Sequence, residues 1–197
     1  MVALLSQAWA TQESEPGGSV AARAIPLRFD SEVIRLFVGN DTLRVEGTYR
    51  LICRPDAPPA ISLLYPYPAD SLLGVAETEL LECRIPGGPW QSLDYEEYPR
   101  LPAARWRIPL GLGDTLEVHT IYTQVLLTRY ARYIVTSTQA WGRPLRHARF
   151  EIHLPADVTP VRFSFPFERQ ETNGHIYYLY EAENFLPDTD IIVHWEP

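Results

Sequence analysis

Cys53 and Cys83 are the two cysteines of this 197-residue chain, and each ends a predicted β-strand. In an exported protein, two such residues can form one disulfide. That bridge would close a loop of about 31 residues and stabilise the fold by roughly 3 to 4 kcal/mol. Cys53 also lies on the apolar face of its strand, where a buried free thiol is equally typical. The sequence leaves the disulfide and the two free thiols open, and export would favour the disulfide.

Two of the five histidines share one face of a predicted strand. His147 and His153 are six residues apart, which separates them by about 20 Å at about 3.3 Å per residue. That distance is too long for both imidazoles to bind one metal ion, and Arg149 between them would repel a cation. We therefore interpret this face as a solvated sheet surface, and we expect no metal site and no cofactor.

The short motifs that would indicate catalysis are missing from the sequence. It has no G-x-S-x-G for a nucleophilic serine and no H-E-x-x-H for a catalytic zinc. All 17 basic residues are arginine, which excludes Schiff-base lysines and Walker-type phosphate loops. The acids Glu96 and Glu97 lie in one proline-bounded loop, whereas general acid/base catalysis needs carboxylates on opposite sides of a substrate. Asp188 and Asp190 lack the spacing of a calcium loop.

Aromatic residues in or beside predicted loops are the candidate binding residues of the sequence: Trp90, Tyr95, Tyr98 and Trp141. Exposed Trp and Tyr side chains can stack on sugar rings or anchor a protein partner. The alternative is that these rings close the ends of a β-sandwich as part of its core. If these aromatic side chains are exposed, their presence indicates a protein or glycan partner.

The elements that must position these side chains are β-strands, because apolar and polar residues alternate along most of the chain. Leu43, Val45 and Tyr49 lie on one face of a run whose other face is polar, which indicates a half-buried strand. The same period of two returns most cleanly at 148–154. Gly and Asn at 39–41 predict a hairpin turn before the first run, because both residues tolerate positive φ.

Further strands are predicted along weaker runs and along one phenylalanine-rich run: 60–66, 75–84, 104–110, 130–138, 175–181 and 161–167. Ser71–Cys83 has enough helical propensity for a helix, but Gly74 interrupts the helical pattern, and we predict a strand. About ten short strands without intervening helices are typical of an antiparallel sandwich or barrel. The sequence therefore predicts an all-β fold, a single antiparallel β-sandwich over residues 25–197.

Residues 1–24 lie outside the predicted strands. They combine a short apolar piece with Ala8-Trp9-Ala10, the small-residue pattern of a signal-peptide cleavage site, but lack a positive n-region. Two interpretations fit, a truncated signal peptide and a flexible tail. The first predicts a bacterial protein exported to the periplasm or out of the cell.

The charge distribution restricts the classes of partner. The formal net charge is −8, and no segment carries a run of basic residues, so nucleic acid and anionic membrane surfaces are poor candidates. No apolar run reaches the length of about 18 residues that a membrane helix needs, and we expect no membrane insertion. The oligomeric state is left open.

Two longer stretches resemble known domains. The run YARYIVTSTQAWGRPLRHARFEIHLPADV, a Phe-rich strand and YLYEAENFLPDTDIIVHW together resemble the distal half of bacterial exported β-sandwich domains of unknown function. More loosely, residues 30–195 are similar to the N-terminal β-sandwich of zinc aminopeptidases of the aminopeptidase N type, through RVEGTYRL and GDTLEVHTIYT. The resemblance implies the sandwich architecture. The H-E-x-x-H motif is missing here, so the resemblance gives no reason to expect aminopeptidase activity.

These observations predict a non-catalytic binding or scaffolding domain of the cell envelope or the extracellular space. Its partner would be a protein or a glycan, bound at aromatic loops or at a strand edge. The alternative is a hydrolase, or the accessory subunit of an enzyme, whose site is assembled only in the tertiary structure.

Overall fold

The structure is a computed structural model that describes residues 26–55, 57–98, 102–111, 113–155 and 157–196. Within these ranges the strands are β1 (Leu27–Val38), β2 (Thr42–Cys53), β3 (Ala60–Pro66), β4 (Leu73–Arg84), β5 (Gln91–Ser92), β6 (Tyr95–Glu97), β7 (Ala103–Pro109), β8 (Thr115–Leu126), β9 (Tyr130–Tyr133), β10 (Leu145–His153), β11 (Thr159–Phe163), β12 (Glu168–Thr172), β13 (His175–Phe185) and β14 (Ile191–Glu196). One short 3-10 helix, η1 (Thr136–Trp141), lies between β9 and β10. No helix in the described ranges is both long and apolar enough to span a bilayer. The predicted signal peptide or tail at 1–24 lies outside the described residues.

The strands form two layers around one apolar core. The first layer is an eight-stranded sheet in the order β12-β13-β10-β1-β2-β8-β4-β5. Two three-stranded sheets, β11-β14-β9 and β3-β7-β6, pack on its inner face. Tyr49 of β2 shows this packing, because its ring centroid lies 6.0 Å from that of Trp106 on β7 and its hydroxyl lies 3.0 Å from that of Tyr133 on β9. This nearly all-β, sandwich-like architecture confirms the predicted fold class.

The alternation predicted from the sequence produces this core. Every second residue of β2 from Leu43 to Cys53 is buried, and Phe150 of β10 is fully buried. The predicted hairpin joins β1 to β2, and the ambiguous segment Ser71–Cys83 is extended as β4. The predicted hairpin and the strand predicted for Ser71–Cys83 are both confirmed.

One strand pair departs from the antiparallel prediction. β1 and β10 run parallel, with Ile34 opposite Phe150, whereas the other described pairs are antiparallel. Parallel neighbours need a long connection, and here the chain from β2 to β9 provides it. The sandwich is therefore mainly, and not wholly, antiparallel.

The strand predicted at 130–138 is wrong in its second half. β9 ends at Tyr133, and the chain continues as η1. The backbone N–H groups of Val135 and Thr136 donate to the carboxylate of Asp190 instead of to a neighbouring strand. A distant side chain thus ends the strand, and the local sequence does not show it.

The strand predicted at 161–167 is wrong in its second half. β11 ends at Phe163 and β12 begins at Glu168. Pro166 lies between them and has no N–H to donate to a ladder, which explains the break. The sequence also does not predict β5 and β6, which are two and three residues long.

Gly47 makes room for the ring of Tyr49 on the same face of β2. A Cβ at residue 47 would lie 2.7 Å from Cζ of Tyr49, and hydrogen bonds to Tyr65 and Tyr133 hold that ring in place. We therefore expect Gly47→Ala to lower the free energy of unfolding by about 1 to 3 kcal/mol, as overpacking does. Urea unfolding measures this, with Gly111→Ala as the control, because a Cβ there meets nothing within 4 Å. Equal losses in both variants would contradict the packing.

Candidate functional site

A cavity of about 140 Å³ lies where the three sheets meet. The aromatic residues that line it, among those described, are Phe29, Tyr49, Tyr65, Trp106, Tyr133 and Trp141. Leu51, Leu63 and Val118 add aliphatic walls. An engineered apolar cavity of about 150 Å³ is known to bind benzene. This cavity therefore has room for one small molecule of about that size.

Glu32 adds a carboxyl to this apolar cavity because of an irregularity in β1. The pairing of β1 with β2 skips Asp30, between Phe29 and Ser31. Such a β-bulge shifts the alternation by one position. The buried face therefore continues through Glu32 and Ile34 instead of through Ser31, and Glu32 is 2% exposed.

The Glu32 carboxyl lies in the cavity without a compensating charge. Its Oε1 atom is buried and has no hydrogen-bond partner among the described residues. The residues that line the cavity with it include no arginine and no histidine. Burial raises the pKa of Glu32 from its ordinary value of 4.5 to about 8, because a carboxylate is poorly solvated there. The group is therefore protonated at neutral pH.

Three tyrosine hydroxyls, one from each sheet, meet beside Glu32. Tyr49 lies directly opposite Glu32 in the β1–β2 pair. The Tyr49 hydroxyl oxygen lies 2.9 Å from that of Tyr65 and 3.0 Å from that of Tyr133. Burial raises the pKa of all three hydroxyls, so they stay protonated at neutral pH. These bonds fix the relative positions of the three sheets around the cavity.

Trp106 contributes a second polar atom without a partner. Its indole stacks on the Tyr65 ring, with the centroids 4.2 Å apart. Within the described part of the chain, its Nε1 atom is buried and makes no hydrogen bond. An indole N–H can only donate, and a buried donor left unbonded costs about 1 to 3 kcal/mol. The lining residues thus hold one unpaired donor and one unpaired carboxyl oxygen.

The helix η1 forms the entrance of the cavity. Ser137 and Ala140 both line the cavity and are exposed, so the cavity reaches the surface beside η1. Trp141 ends the helix and packs edge-on against Phe29, with the centroids 5.6 Å apart. Gly142 follows in the left-handed region, with φ of 68°, which suits the end of a helix.

Asp190 holds η1 in place. Its Oδ1 atom accepts the backbone N–H groups of Val135 and Thr136 at 3.1 Å each, and the Thr136 hydroxyl at 2.8 Å. Its Oδ2 atom accepts Nε of Arg132 at 2.8 Å. The carboxylate is buried and bonded on both oxygens, which makes it a structural group of the entrance.

The structure separates the aromatic residues predicted as binding residues. Trp141 lines the cavity, whereas Trp90, Tyr95 and Tyr98 do not. Trp90 is half-buried beneath Arg84, whose guanidinium carbon lies 4.1 Å from the ring centroid. Tyr95 and Tyr98 are 38% and 41% exposed. A partner bound by these three rings stays a prediction.

The sequence-based prediction does not include Glu32 among the site residues, although its position in the alternating pattern is unusual for an acid. Glu32 shares the parity of Ile34, Leu36 and Val38, which places it on the apolar face of that run. Acidic residues are almost never fully buried unless they are paired. A glutamate at a core position of a strand is therefore a candidate site residue. For Trp106 and Tyr133 no such local signal exists.

The two cysteines are buried free thiols in the structure. They lie on β2 and β4 with β8 between them, since Cys83 pairs with Val118 and the N–H of Cys53 donates to the carbonyl of Asp114. Two strand spacings and an offset of four residues separate them by roughly 16 Å, beyond the reach of a disulfide. Of the two interpretations that the sequence left open, the structure contains the free thiols. Burial raises the pKa of both thiols.

The histidines of β10 lie on the outer face of the large sheet, but both are half-buried, whereas the sequence predicted a solvated surface. The ring of His153 stacks between those of Phe37 and Tyr177, at centroid distances of 4.6 and 5.5 Å. Nε2 of His147 lies 3.8 Å from a carboxylate oxygen of Glu181. Among the residues that the structure describes, no group of three His, Cys, Asp or Glu side chains is placed to hold a metal ion.

No protein-family model matches the sequence, and the curated proteins give no significant match. Solved structures match the fold. A candidate nutrient binding protein from Legionella pneumophila matches with a TM-score of 0.61 at 14% identity, over 87% of this chain and 67% of that protein. The M1 zinc metallopeptidase from Deinococcus radiodurans matches with 0.51 at 13% identity, over 86% and 42%. Yeast LTA4 hydrolase matches with 0.53 at 11% identity, over 87% and 29%.

At these identities the matches show the fold alone. The chain spans less than half the length of the Deinococcus and yeast proteins. Its architecture is similar to the N-terminal β-domains of M1 aminopeptidases, which confirms the resemblance to that domain seen in the sequence.

Proposed function

We propose that this chain is a non-catalytic binding domain whose cavity between the three sheets receives a small ligand. The observation that carries this proposal is the buried, unpartnered carboxyl of Glu32 in a cavity lined by aromatic and aliphatic side chains. Ligand sites are concave and mostly apolar, with a few polar groups that orient the ligand. A buried polar group without a partner costs stability. A ligand that supplies the missing partner removes that cost.

The chemistry of the walls supports binding over nucleophilic catalysis. The lining residues include no cysteine and no histidine that could act as nucleophile or base beside the carboxyl. The raised pKa of the Tyr49, Tyr65 and Tyr133 hydroxyls makes them poor nucleophiles at neutral pH. A fold shared with a non-catalytic domain and with a candidate binding protein agrees with this role.

The proposal includes export to the cell envelope or the extracellular space. It rests on the Ala8-Trp9-Ala10 pattern, which lies outside the described residues. In that setting Tyr95 and Tyr98, both exposed, give a second surface for a protein or glycan partner.

A second candidate function is that of the accessory part of an enzyme. It is favoured by the match to 42% of the Deinococcus M1 zinc metallopeptidase. The zinc-binding motif, missing from this sequence, would then come from another chain. Peptidase activity that appears only when a second chain is added would support this function over the first.

Benzene is expected to bind in the cavity, because an apolar cavity of similar size takes it up. In methyl NMR spectra, the signals of Leu51, Leu63 and Val118 should shift during a titration and then saturate. Ala140→Trp places a large ring at the entrance and should weaken binding roughly tenfold, which corresponds to about 1.4 kcal/mol. Ala69→Trp is the matched control, since Ala69 is exposed and does not line the cavity. Unshifted lining methyl signals, or equal binding by both variants, would contradict a ligand cavity.

A further inference from the structure

The Glu32 carboxylate would have no counter-ion from the protein. The side chains that line the cavity with it or lie opposite it in the sheet are uncharged at neutral pH: Tyr49 of β2, Tyr65 of β3, Trp106 of β7, Val118 of β8, Tyr133 of β9 and Ala148 of β10. Its neighbour in sequence, Asp30, is already paired with Arg28 and Arg146 at 2.9 and 3.2 Å. A ligand that meets the protonated carboxyl can accept its O–H, whereas a ligand that meets the carboxylate has to bring its own positive charge or a hydrogen-bond donor.

The aromatic walls favour a ligand that brings charge. The rings of Phe29, Tyr49 and Trp106 adjoin one another, with centroids 5.8 Å apart for the first pair and 6.0 Å for the second. Faces of aromatic rings attract cations, and cages of such rings recognise quaternary ammonium groups. A quaternary ammonium carries no N–H donors, so it needs no further acceptors from these apolar walls. Aromatic rings and one carboxyl line this cavity together, which matches that chemistry.

The unpaired indole N–H of Trp106 adds a second requirement. It is a donor without an acceptor in the described residues, and Trp106 lines the cavity, so a ligand that carries an oxygen could supply the missing acceptor. The cavity of about 140 Å³ limits the ligand to about the size of benzene. An ammonium with three methyl groups and a short hydroxylated arm has that size and both features.

We propose that the cavity selects a small quaternary ammonium that carries an oxygen acceptor, with its charge beside Glu32 and its oxygen bound by the indole N–H of Trp106. This inference rests on the proposed binding function and names the ligand class of the same cavity. It involves no covalent step.

Binding of such a cation is coupled to the release of one proton. The Glu32 carboxyl gives its proton to solvent, and the carboxylate that remains pairs with the ammonium. Below the pKa of about 8 the free site is protonated, so each rise of one pH unit should increase the affinity about tenfold. Above that pH the affinity should level off.

Choline and 3,3-dimethyl-1-butanol are the probes, because they share one shape and one hydroxyl and differ in charge. Calorimetric titration near pH 6 and pH 9 should show choline binding at least about tenfold tighter at the higher pH. The uncharged alcohol should not tighten with pH. Titrations of choline near pH 6 in two buffers of different ionisation enthalpy should count one proton released per choline bound.

Two variants separate the charge from the donor. Glu32→Gln should lower the affinity for choline at pH 9 by at least about tenfold and leave that of the alcohol unchanged. Trp106→Phe keeps a ring but removes the N–H, so it should weaken choline more than tetramethylammonium, which has no oxygen.

The outcomes distinguish this inference from the function on which it rests. Equal affinities for choline and the alcohol at pH 9, or choline binding that does not change with pH, would overturn the ammonium assignment. In that case the binding of the alcohol or of benzene still supports a ligand cavity. If choline, the alcohol and benzene all fail to bind, the proposed function fails as well.

Discussion

Replacing Glu32 by glutamine is expected to stabilise the fold more at pH 9 than at pH 4. The free energy of unfolding of the variant minus that of the native chain should be about 5 kcal/mol larger at pH 9 than at pH 4. The pKa of Glu32 is about 8 in the fold and 4.5 when the side chain is solvated. Each pH unit between these values costs the native chain about 1.4 kcal/mol, because only the unfolded state loses the proton. Glutamine has the same shape and cannot ionise, so the variant avoids this loss.

The direction of the effect follows from the raised pKa. Below about pH 4.5 both states of the native chain hold the proton, and Glu32 adds no pH dependence. Between about pH 4.5 and 8 the unfolded state binds fewer protons, so stability falls as the pH rises. Urea unfolding followed by circular dichroism at several pH values measures this. Parallel pH profiles for the variant and the native chain would contradict a buried neutral carboxyl.

Glu151→Gln is the control, because the shift at Glu151 has the opposite sign. Burial alone would raise the pKa of Glu151, but hydrogen bonds and charge from Arg149 and Arg35 lower it below 4.5. Ionised Glu151 therefore stabilises the fold above about pH 4.5, and that stability is lost as the pH falls through its lowered pKa. Glu151→Gln should be less stable than the native chain at neutral pH, and the difference should shrink in acid.

Replacing Asp190 by alanine is expected to cost about 2 to 6 kcal/mol, because it leaves two backbone donors unbonded at about 1 to 3 kcal/mol each. The change leaves the N–H groups of Val135 and Thr136 without their acceptor, whereas the guanidinium of Arg132, which is 33% exposed, keeps the Asp70 carboxylate at 3.8 Å. Because these bonds hold η1, the variant should also bind benzene more weakly. Unfolding in urea at pH 7 gives the stability, and methyl NMR gives the binding.

Asp188→Ala is the matched control for Asp190→Ala. Asp188 lies two residues earlier in the same loop and is exposed, so its replacement should change stability by less than about 0.5 kcal/mol. A loss of less than about 1 kcal/mol for Asp190→Ala would show that the buried carboxylate does not support η1.

The alternation of side chains is the part of this fold that the sequence predicts well. Leu43, Val45 and Tyr49 recur with a period of two, and a strand with one buried face needs no further information. The turn at 39–41 and the extended state of β4 follow from equally local preferences. These features reappear in the structure because each one depends on residues close together in the chain.

The limits of that prediction appear where distant residues meet. The end of β9 depends on the carboxylate of Asp190, 54 and 55 residues away from the N–H groups that it accepts. The parallel pairing of β1 with β10 depends on how the whole sheet is assembled. The residues around position 133 do not show the contact with Asp190, so the local sequence predicts a strand there. The residues of β1 and β10 likewise do not show which strand each one pairs with.

The candidate site divides in the same way. The sequence by itself determined that Glu32 shares the face of Ile34, Leu36 and Val38, because side chains alternate along a strand. Only the tertiary structure decided that this carboxyl has no partner and lines a cavity with Trp141. The cavity is the space left between three packed sheets, and residues separated by about a hundred positions define it together. Its volume and its unpaired groups are therefore properties of the packing and cannot be obtained from any one segment of the chain.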